Sequence, residues 1–230
     1  MVYYTGDIHG EATKILNFIS RFKLTADDTI VILGDAGLNY YNDSRDYHVK
    51  HQLNDQGVII FSIHGNHERR PESLPYYHET SWSGGAVYVE DNFPNLLFAK
   101  DGEIFDLCGQ KSIVIGGAYS VDKSYRLQHR LGWFADEQPS AEIKEHVESI
   151  LNSVGWKIDT VLSHTCPAKY IPIEAFMSCV DQSTVDRSTE NWLGTIEERL
   201  SYNHWLCGHW HIDKRIDKLH FLMDSFKILS

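Results

Sequence analysis

Polar residues with metal-binding side chains recur in this sequence where apolar runs end. The third strong apolar run, residues 58–63, is followed by Gly65-Asn66-His67-Glu68. A β-branched run that stops at such residues is typical of a buried strand. Because ligands gather at the carboxyl ends of strands in α/β folds, we expect these side chains to form part of a functional site. Asn66 offers a neutral oxygen ligand, and His67 offers a proton carrier or a second ligand.

Five strand ends carry groups of this kind, and together they suit two divalent ions. Carboxylate, imidazole and amide oxygen ligands favour Mn²⁺, Fe or Zn²⁺ over metals that prefer thiolates. Seven side chains are too many for one ion and suit two ions that share a carboxylate. Asp35 is the natural bridge because it stands alone at its strand end. The candidate metal ligands are Asp7, His9, Asp35, Asn66, His164, His209 and His211.

Each motif by itself also has a plain structural interpretation. A single Asp-x-His or Gly-Asp is more often a surface turn, and His164 alone would more often be a core histidine. All five motifs in this order, each after a predicted strand, are hard to obtain by chance. The combination therefore supports a metal site more strongly than any one motif does.

The elements that must position these residues alternate between strands and helices in the first part of the chain. Apolar patterns predict strands over 2–5, 29–33 and 58–63. A helix is predicted over 11–22, and a weaker helix ends at Leu53. This alternation is the pattern of parallel βαβ units.

The middle of the chain changes to shorter β-rich segments. Segments 96–100 and 103–107 flank Asp101-Gly102, which predicts a hairpin. We expect this region to be antiparallel and to form a second sheet packed on the first. The polar, aromatic stretch 120–138 is interpreted as a surface loop of unassigned role.

The last part of the chain returns to helices and strands. Helices are predicted over 141–154 and 189–200, and strands over 159–162 and 204–207. A closing hairpin is expected between 215 and 223. No repeat, low-complexity segment or linker interrupts the sequence, so we predict a single domain spanning residues 1–230.

Composition excludes several classes of protein. The chain of 230 residues is 42% apolar and 23% charged, which is typical of a globular protein and not of a disordered or fibrous one. No apolar run approaches the roughly 18 to 20 residues that a membrane helix needs. No export signal is visible, so we expect a cytoplasmic protein. The four scattered cysteines predict reduced thiols and not a disulfide framework.

The net charge bears on the expected partner. A charge of −11 repels polyanions and argues against binding to duplex nucleic acid. We expect a small phosphorylated or nucleotide substrate and no membrane partner, and the sequence leaves the oligomeric state open.

The order of these motifs resembles that of the calcineurin-like metallophosphoesterases. The resemblance extends over residues 6–211 and includes every metal-binding block of that family. It implies an α/β fold, a four-layer α/β/β/α sandwich of two mixed β-sheets. The blocks are Gly6-Asp7-Ile8-His9-Gly10, Gly34-Asp35, Gly65-Asn66-His67-Glu68, Ser163-His164 and Gly208-His209-Trp210-His211.

The resemblance also implies how the ligands divide between two metal ions, of which Mn²⁺ is the first candidate and Fe or Zn²⁺ the others. One ion would bind Asp7, His9, Asp35 and His211. The second ion would bind Asp35, Asn66, His164 and His209.

The implied activity is hydrolysis of a phosphomonoester or phosphodiester by a metal-bridging hydroxide. His67 and Asp35 are the implied catalytic residues, with His67 acting as a general acid and Glu68 as a partner that orients its ring. Asn66 and His67 would also contact the substrate. Arg126 is our first candidate for a phosphate clamp, followed by Arg69, Arg70 and Lys123. Tyr40, Tyr119 and Trp133 could form an aromatic wall or could simply pack within loops.

One departure from the family pattern argues against one of the family's activities. The protein serine/threonine phosphatases have Gly-Asp-x-x-Asp-Arg-Gly at the second block, whereas this chain has Gly34-Asp35-Ala36-Gly37-Leu38-Asn39-Tyr40. The missing Asp and Arg put protein phosphatase activity in doubt. Segment 116–133 resembles a bacterial or prophage subgroup of the family.

Other functions remain open at this point. The chain could be a protein serine/threonine phosphatase or a single-strand nuclease of the same superfamily. It could be a catalytically silent metal-binding scaffold, although no ligand is missing. An unrelated metallohydrolase that cleaves amides would leave Asn66 and His67 without a purpose.

Overall fold

A computed structural model describes residues 1–229 of the chain, and two mixed β-sheets of six strands each form its centre. In the first sheet, four adjacent strands run parallel, and each of the remaining two strands at one edge pairs antiparallel with its neighbour. Its strands are β1 (Val2–Thr5), β2 (Thr29–Ile32), β3 (Ile59–Ser62), β4 (Tyr77–Trp82), β5 (Gly85–Glu90) and β6 (Leu96–Ala99), in the spatial order β1-β2-β3-β6-β5-β4.

The second sheet has the same mixed character. Its four central strands run parallel, and each edge strand pairs antiparallel with its neighbour. Its strands are β7 (Ile104–Leu107), β8 (Gln110–Ile115), β9 (Thr160–Ser163), β10 (His204–Cys207), β11 (Lys214–Ile216) and β12 (Leu219–Phe221), in the spatial order β11-β12-β10-β9-β8-β7.

Helices cover the outer face of each sheet. The described residues form the α-helices α1 (Thr13–Phe22), α2 (Ser44–Asn54), α3 (Lys123–His129), α4 (Ala141–Ser153) and α5 (Ser188–Arg199), with short 3₁₀ turns at Pro71–Ser73, Ala168–Tyr170, Ile173–Ala175 and Gln182–Thr184. Apolar residues of α1 and α2 pack on the first sheet, and those of α4 and α5 pack on the second.

Side chains that point alternately to the two faces of each strand explain why each sheet packs between helices and the other sheet. In β2, Val31 faces the core between the sheets, while Ile30 and Ile32 face the helices. Both faces are therefore apolar, as expected for parallel strands that are covered on both sides. The predicted four-layer α/β/β/α sandwich of two mixed β-sheets is confirmed.

The predicted hairpin around Asp101-Gly102 is wrong. β6 pairs with β3 and β5 in the first sheet, whereas β7 pairs with β8 in the second, so this turn carries the chain from one sheet to the other. Its residues are held by distant segments. The buried Asp101 carboxylate accepts hydrogen bonds from Gly116 N at 2.6 Å and from Arg70 Nη1 at 2.7 Å.

Two further expectations for the middle of the chain need correction. β4 and β5 complete the first sheet and do not belong to a separate antiparallel one. The stretch 120–138 contains α3, which buries none of its side chains. The low apolar content that suggested a loop is the property of an exposed helix.

Among the described residues, no helix combines the length and apolarity that crossing a membrane requires. Of the four cysteines, Cys108 and Cys179 are exposed, Cys166 and Cys207 are buried, and all are free.

We expect Asp101→Ala to lower the free energy of unfolding by about 3 to 5 kcal/mol, because it leaves the buried Arg70 guanidinium without its partner. Lys100→Ala is the matched control. It removes a partly exposed ion pair in which Lys100 Nζ lies 2.7 Å from Glu79 Oε2. Loss of this pair should change the free energy of unfolding by only about 0 to 1 kcal/mol. Urea unfolding of both variants measures the difference. Equal losses would show that Asp101 contributes no more than a surface pair.

Candidate metal centre

The polar segments that follow β1, β2, β3, β9 and β10 meet at one edge of the sandwich. Parallel strands within each sheet end on the same side, so the loops of the two sheets approach each other there. One cavity of about 610 Å³ opens at this edge. Its floor is formed by His9, Asp35, Asn66, His67, His209 and His211.

The first group of potential ligands contains Asp7, His9 and His211, whose ligand atoms all lie within 4.8 Å of one another. Asp7 Oδ2 lies 3.3 Å from His211 Nε2 and 3.7 Å from His9 Nε2. The two Nε2 atoms lie 3.0 Å apart. Asp7 Oδ2 is buried and makes no hydrogen bond within the described residues.

The second group contains Asp35 and His164, together with Asp7, again within 4.8 Å. His164 Nδ1 lies 2.7 Å from the carbonyl oxygen of Leu33 and must donate to it. In the neutral ring, Nε2 then carries a lone pair, and it lies 2.9 Å from Asn66 Oδ1 and 3.6 Å from Asp35 Oδ1. Three acceptor atoms therefore face one another.

A divalent cation fits both groups. A buried carboxylate oxygen without a donor, and an imidazole lone pair that faces two oxygens, are unfavourable unless a positive charge lies among them. Carboxylate, imidazole and amide oxygens are ligands that Mn²⁺, Fe and Zn²⁺ accept. The arrangement of the residues thus matches the donor set that the sequence predicts, and their assignment as ligands stays a prediction.

The close approach of carboxylates and imidazoles also shifts the pKa values of the buried groups. Burial alone would raise the pKa of Asp7 and Asp35, but the neighbouring imidazoles lower both. Burial alone would lower the pKa of His164, but the Asp35 carboxylate raises it to about 9. In the metal-free protein a proton on His164 can therefore compensate for the carboxylates, and a metal ion would displace it.

His209 lies next to these groups but outside them. Its ring centroid is 5.0 Å from that of His164, and burial lowers its pKa to about 3. A neutral imidazole is the form that binds metals, so this partly buried ring is available as a ligand. The grouping of its ligand atom with Asp35, which the resemblance implies, stays a prediction.

His67 lines the same cavity. Its backbone N–H donates to Asp35 Oδ1 at 2.8 Å, which ties the two residues together. Burial lowers the pKa of the His67 ring, while the Asp35 carboxylate opposes this shift. The ring is thus neutral near pH 7 and can donate one hydrogen bond.

Glu68 does not orient the ring of His67, contrary to expectation. Its buried carboxyl group accepts hydrogen bonds from Gly37 N and Gly65 N, both at 3.2 Å. Burial raises its pKa to about 8. Glu68 therefore joins the loop after β2 to the loop after β3, which sequence reasoning missed because its proximity to His67 in the chain suggested a different partner.

Arg126 lies beside the site and lines the same cavity as His67. Its Nε donates to Asp122 at 2.7 Å, and its Nη1 donates to the hydroxyl of Tyr40 at 2.9 Å. Within the described residues, Nη2 makes no hydrogen bond. The position is compatible with the predicted phosphate clamp.

The other basic candidates do not line the cavity. Arg70 is buried against Asp101, and Arg69 and Lys123 lie over the rings of Phe134 and Trp133 at 5.2 and 4.2 Å. Of the three aromatic candidates, Tyr119 lines the cavity, whereas Trp133 does not. Tyr40 borders a neighbouring cavity of about 450 Å³.

Two supporting residues carried no signal in the sequence. Ser120 Oγ accepts from Asn66 Nδ2 at 2.9 Å, which turns the Asn66 oxygen towards His164. Lys14 Nζ donates to the carbonyl oxygens of Gly6 and Asp7 at 3.3 and 3.0 Å. Both contacts are formed across the fold by residues of unremarkable sequence context.

At this edge the backbone approaches the candidate ligands so closely that two positions require glycine. A Cβ atom on Gly65 would lie 2.0 Å from Asp35 Oδ1, and one on Gly208 would lie 2.3 Å from Asp7 Oδ1. Neither distance is possible for a real side chain. Gly65 therefore lets the end of β3 pack on the carboxylate that follows the neighbouring β2, and Gly208 lets the end of β10 pack on the carboxylate that follows β1 of the other sheet.

Comparison with known protein families shows which family the chain belongs to. The family model described as calcineurin-like phosphoesterase matches residues 1–213. The chain belongs to the calcineurin-like phosphoesterase family. No curated protein matches the chain. The chain is also similar to one solved crystal structure, with a TM-score of 0.49 and 14% sequence identity. The superposition covers 96% of this chain and 88% of the chain in that structure.

Membership of this family supports metal-dependent phosphoesterase chemistry in general. The two Asp and His groups described above could hold the metal ions on which the family typically depends.

We expect Gly65→Ala to weaken Mn²⁺ binding by about 10- to 100-fold, because the added methyl group must displace the Asp35 carboxylate. Isothermal titration of metal-stripped protein measures the affinity. Gly194→Ala is the control, since its Cβ would meet nothing closer than 3.9 Å in α5. Unchanged affinity in Gly65→Ala would show that Asp35 is not a ligand or is not held by this contact.

Proposed function

We propose that the chain is a di-metal-dependent phosphoesterase that hydrolyses a small phosphomonoester or phosphodiester, including nucleotides. The observation that carries the proposal is the buried group of Asp7, Asp35 and His164, whose ligand atoms lie within 4.8 Å of one another. Within the described residues Asp7 Oδ2 makes no hydrogen bond, which is costly unless a cation neutralises it. The proposed ligands are Asp7, His9, Asp35 and His211 for one ion, and Asp35, Asn66, His164 and His209 for the other.

The metal ions would supply the activation of water, since two ions about 3.5 to 4 Å apart lower its pKa towards about 7 and stabilise charge on phosphoryl oxygens. Mn²⁺ is our first choice on the strength of the family resemblance, and the oxygen and nitrogen donor set would also accept Fe or Zn²⁺.

Hydrolysis breaks the bond between phosphorus and the leaving oxygen and forms a new bond between phosphorus and a water oxygen. The leaving oxygen gains a proton. We assign this proton transfer, or the hydrogen bond that stabilises the leaving oxygen, to His67, which faces the cavity. Because its ring is neutral in the free protein, the negative charge of a bound phosphoryl group would be what allows it to hold the extra proton. General acids of this kind contribute about 10²- to 10⁴-fold in rate.

Arg126 is proposed to bind a phosphoryl oxygen through Nη2, while its other nitrogens hold Asp122 and Tyr40. This guanidinium is fixed before the substrate arrives, so little side-chain freedom is lost on binding. In a chain with a net charge of −11, such a local cation would aid the capture of an anion.

We expect Mn²⁺ to restore hydrolysis of para-nitrophenyl phosphate or its bis ester to metal-stripped protein. Asp35→Asn should abolish the activity and weaken Mn²⁺ binding, because one buried charge between the ions is lost. His67→Ala should lower kcat by about 10²- to 10⁴-fold and leave metal binding intact, since His67 is not a proposed ligand. Metal binding without cleavage of either ester would favour a silent scaffold. Absence of metal binding would contradict the whole assignment.

We expect Arg126→Ala to lower kcat/KM for the preferred ester by about 10- to 100-fold through loss of a charge-assisted contact to phosphate. Arg130→Ala is the control, because Arg130 ends the same helix and does not line the cavity. Steady-state kinetics and inhibition by orthophosphate measure the effect, and a thermal melt shows whether the fold is retained. Equal kinetics in both variants would exclude Arg126 as the clamp.

A further inference from the structure

The cavity extends well beyond the metal-binding residues. Its volume of about 610 Å³ lies within the range of about 300 to 1,000 Å³ that is usual for sites of small organic ligands. A phosphate group bound at the metal centre would occupy only a part of it. The remainder is bounded by the segment between β9 and α5 and by residues next to the His209-x-His211 loop.

This second part of the cavity is lined mainly by apolar side chains. We call it the apolar wall and define it as Ile171, Phe176, Met177, Val180, Val185 and Trp210. The wall and the metal-binding residues border one continuous space. A molecule with its phosphate on the metal ions therefore has room to place its organic group against the wall.

Two aromatic rings are held in fixed orientations at the wall. The ring centroids of Phe176 and Trp210 lie 6.2 Å apart with an angle of 34° between the planes. Trp210 Nε1 donates to Thr165 Oγ1 at 3.2 Å, which fixes the indole. The guanidinium of Arg187 lies 5.3 Å from the centroid of the Phe176 ring.

The charged residues around the wall are already engaged with other protein groups. Arg187 donates to Gln182 Oε1 at 3.1 Å, and Asp186 Oδ2 accepts from Gln138 at 3.0 Å. Glu190 Oε1 accepts from Thr165 at 2.8 Å, whereas its Oε2 is buried and makes no hydrogen bond within the described residues. Apart from this one carboxylate oxygen, a sugar or polyol that enters would find few replacements for its hydrogen bonds to water.

We propose that the apolar wall binds an aromatic group in the leaving alcohol of the substrate. This inference rests on the proposed phosphoesterase function and adds the class of substrate to it. Aromatic rings pack well beside other rings at centroid distances of about 4.5 to 7 Å. A phenyl ring and a nucleobase share this chemistry, so the experiment must distinguish them.

The test uses pairs of esters that differ only in the aromatic group. The first pair is 3-phenylpropyl phosphate and propyl phosphate, whose leaving alcohols have nearly equal basicity. The second pair is adenosine 5′-phosphate and ribose 5-phosphate. We expect kcat/KM for the aromatic member of at least one pair to be about 10- to 100-fold higher with the Mn²⁺-loaded enzyme. The pair with the larger ratio identifies the source of the ring.

Phe176→Ala should lower this ratio about tenfold and leave kcat/KM for the non-aromatic member within about twofold of the wild type. Ile173→Ala is the matched control, because Ile173 lies in the same segment, is 75% exposed and does not line the cavity. If Phe176→Ala fails to fold, Val180→Asp is the second variant, because it places a carboxylate on the wall. It should reduce the ratio of the two kcat/KM values to about one. Ratios near one in the wild type, or a ratio that Phe176→Ala leaves unchanged, would overturn the proposal.

A binding measurement separates this proposal from the proposed reaction. If no ester is cleaved, the phosphoesterase assignment fails, but 3-phenylpropylphosphonate and propylphosphonate can still be compared by calorimetry on Mn²⁺-loaded protein. Binding of the phenyl compound about tenfold or more tightly, lost in Phe176→Ala, would support the apolar wall without any turnover. Equal affinities would overturn it.

Discussion

The structure depends on holding buried acceptor atoms close together against their mutual repulsion. Two buried carboxylates and several imidazoles crowd one edge of the sandwich, and their lone pairs face one another unless a proton or a metal cation lies between them. Backbone hydrogen bonds supply the restraint. Asp7 Oδ1 accepts from His209 N at 2.9 Å, and Asp35 Oδ1 accepts from His67 N at 2.8 Å. Each carboxylate is thus anchored by the backbone of another loop and leaves its second oxygen directed at the site.

These anchors also explain the unusual backbone of the loops. His9, Asp35, His209 and His211 all have φ values between 47° and 64°, in the left-handed region that residues other than glycine seldom adopt. Such strain persists only where surrounding contacts fix the chain. Here the contacts come from both sheets, because the loop after β10 binds Asp7 of the loop after β1. Packing of the two sheets and positioning of the candidate ligands are therefore the same structural event.

The sequence predicts the strand ends, and the polar residues that follow them, because both depend on local signals. An apolar run followed by Gly-Asp or Gly-Asn-His contains the strand, its end and the ligand in a few residues. Contacts between distant segments leave no such signal. Asp101-Gly102 has the composition of a hairpin turn, yet the Arg70 and Gly116 contacts of Asp101 direct the chain into the other sheet. Glu68 likewise binds Gly37 and not its neighbour His67 for a reason that only the fold supplies.

The apolar wall is a second feature that the sequence does not predict, because it too depends on contacts between distant segments. Much of its segment between β9 and α5 has no regular structure except short 3₁₀ turns, and no period of apolar residues indicates what it packs against. Its proximity to the metal centre arises because β9 and β10 are neighbours in the second sheet, which brings residues after His164 next to Trp210. The regular strands thus fix the positions of the candidate ligands, while under the proposed function this irregular connection would determine which organic group can reach them. Loops placed on a rigid scaffold commonly divide these roles in this way. On that proposal, substitutions in the wall should change the choice of substrate without disturbing the candidate ligands beside it.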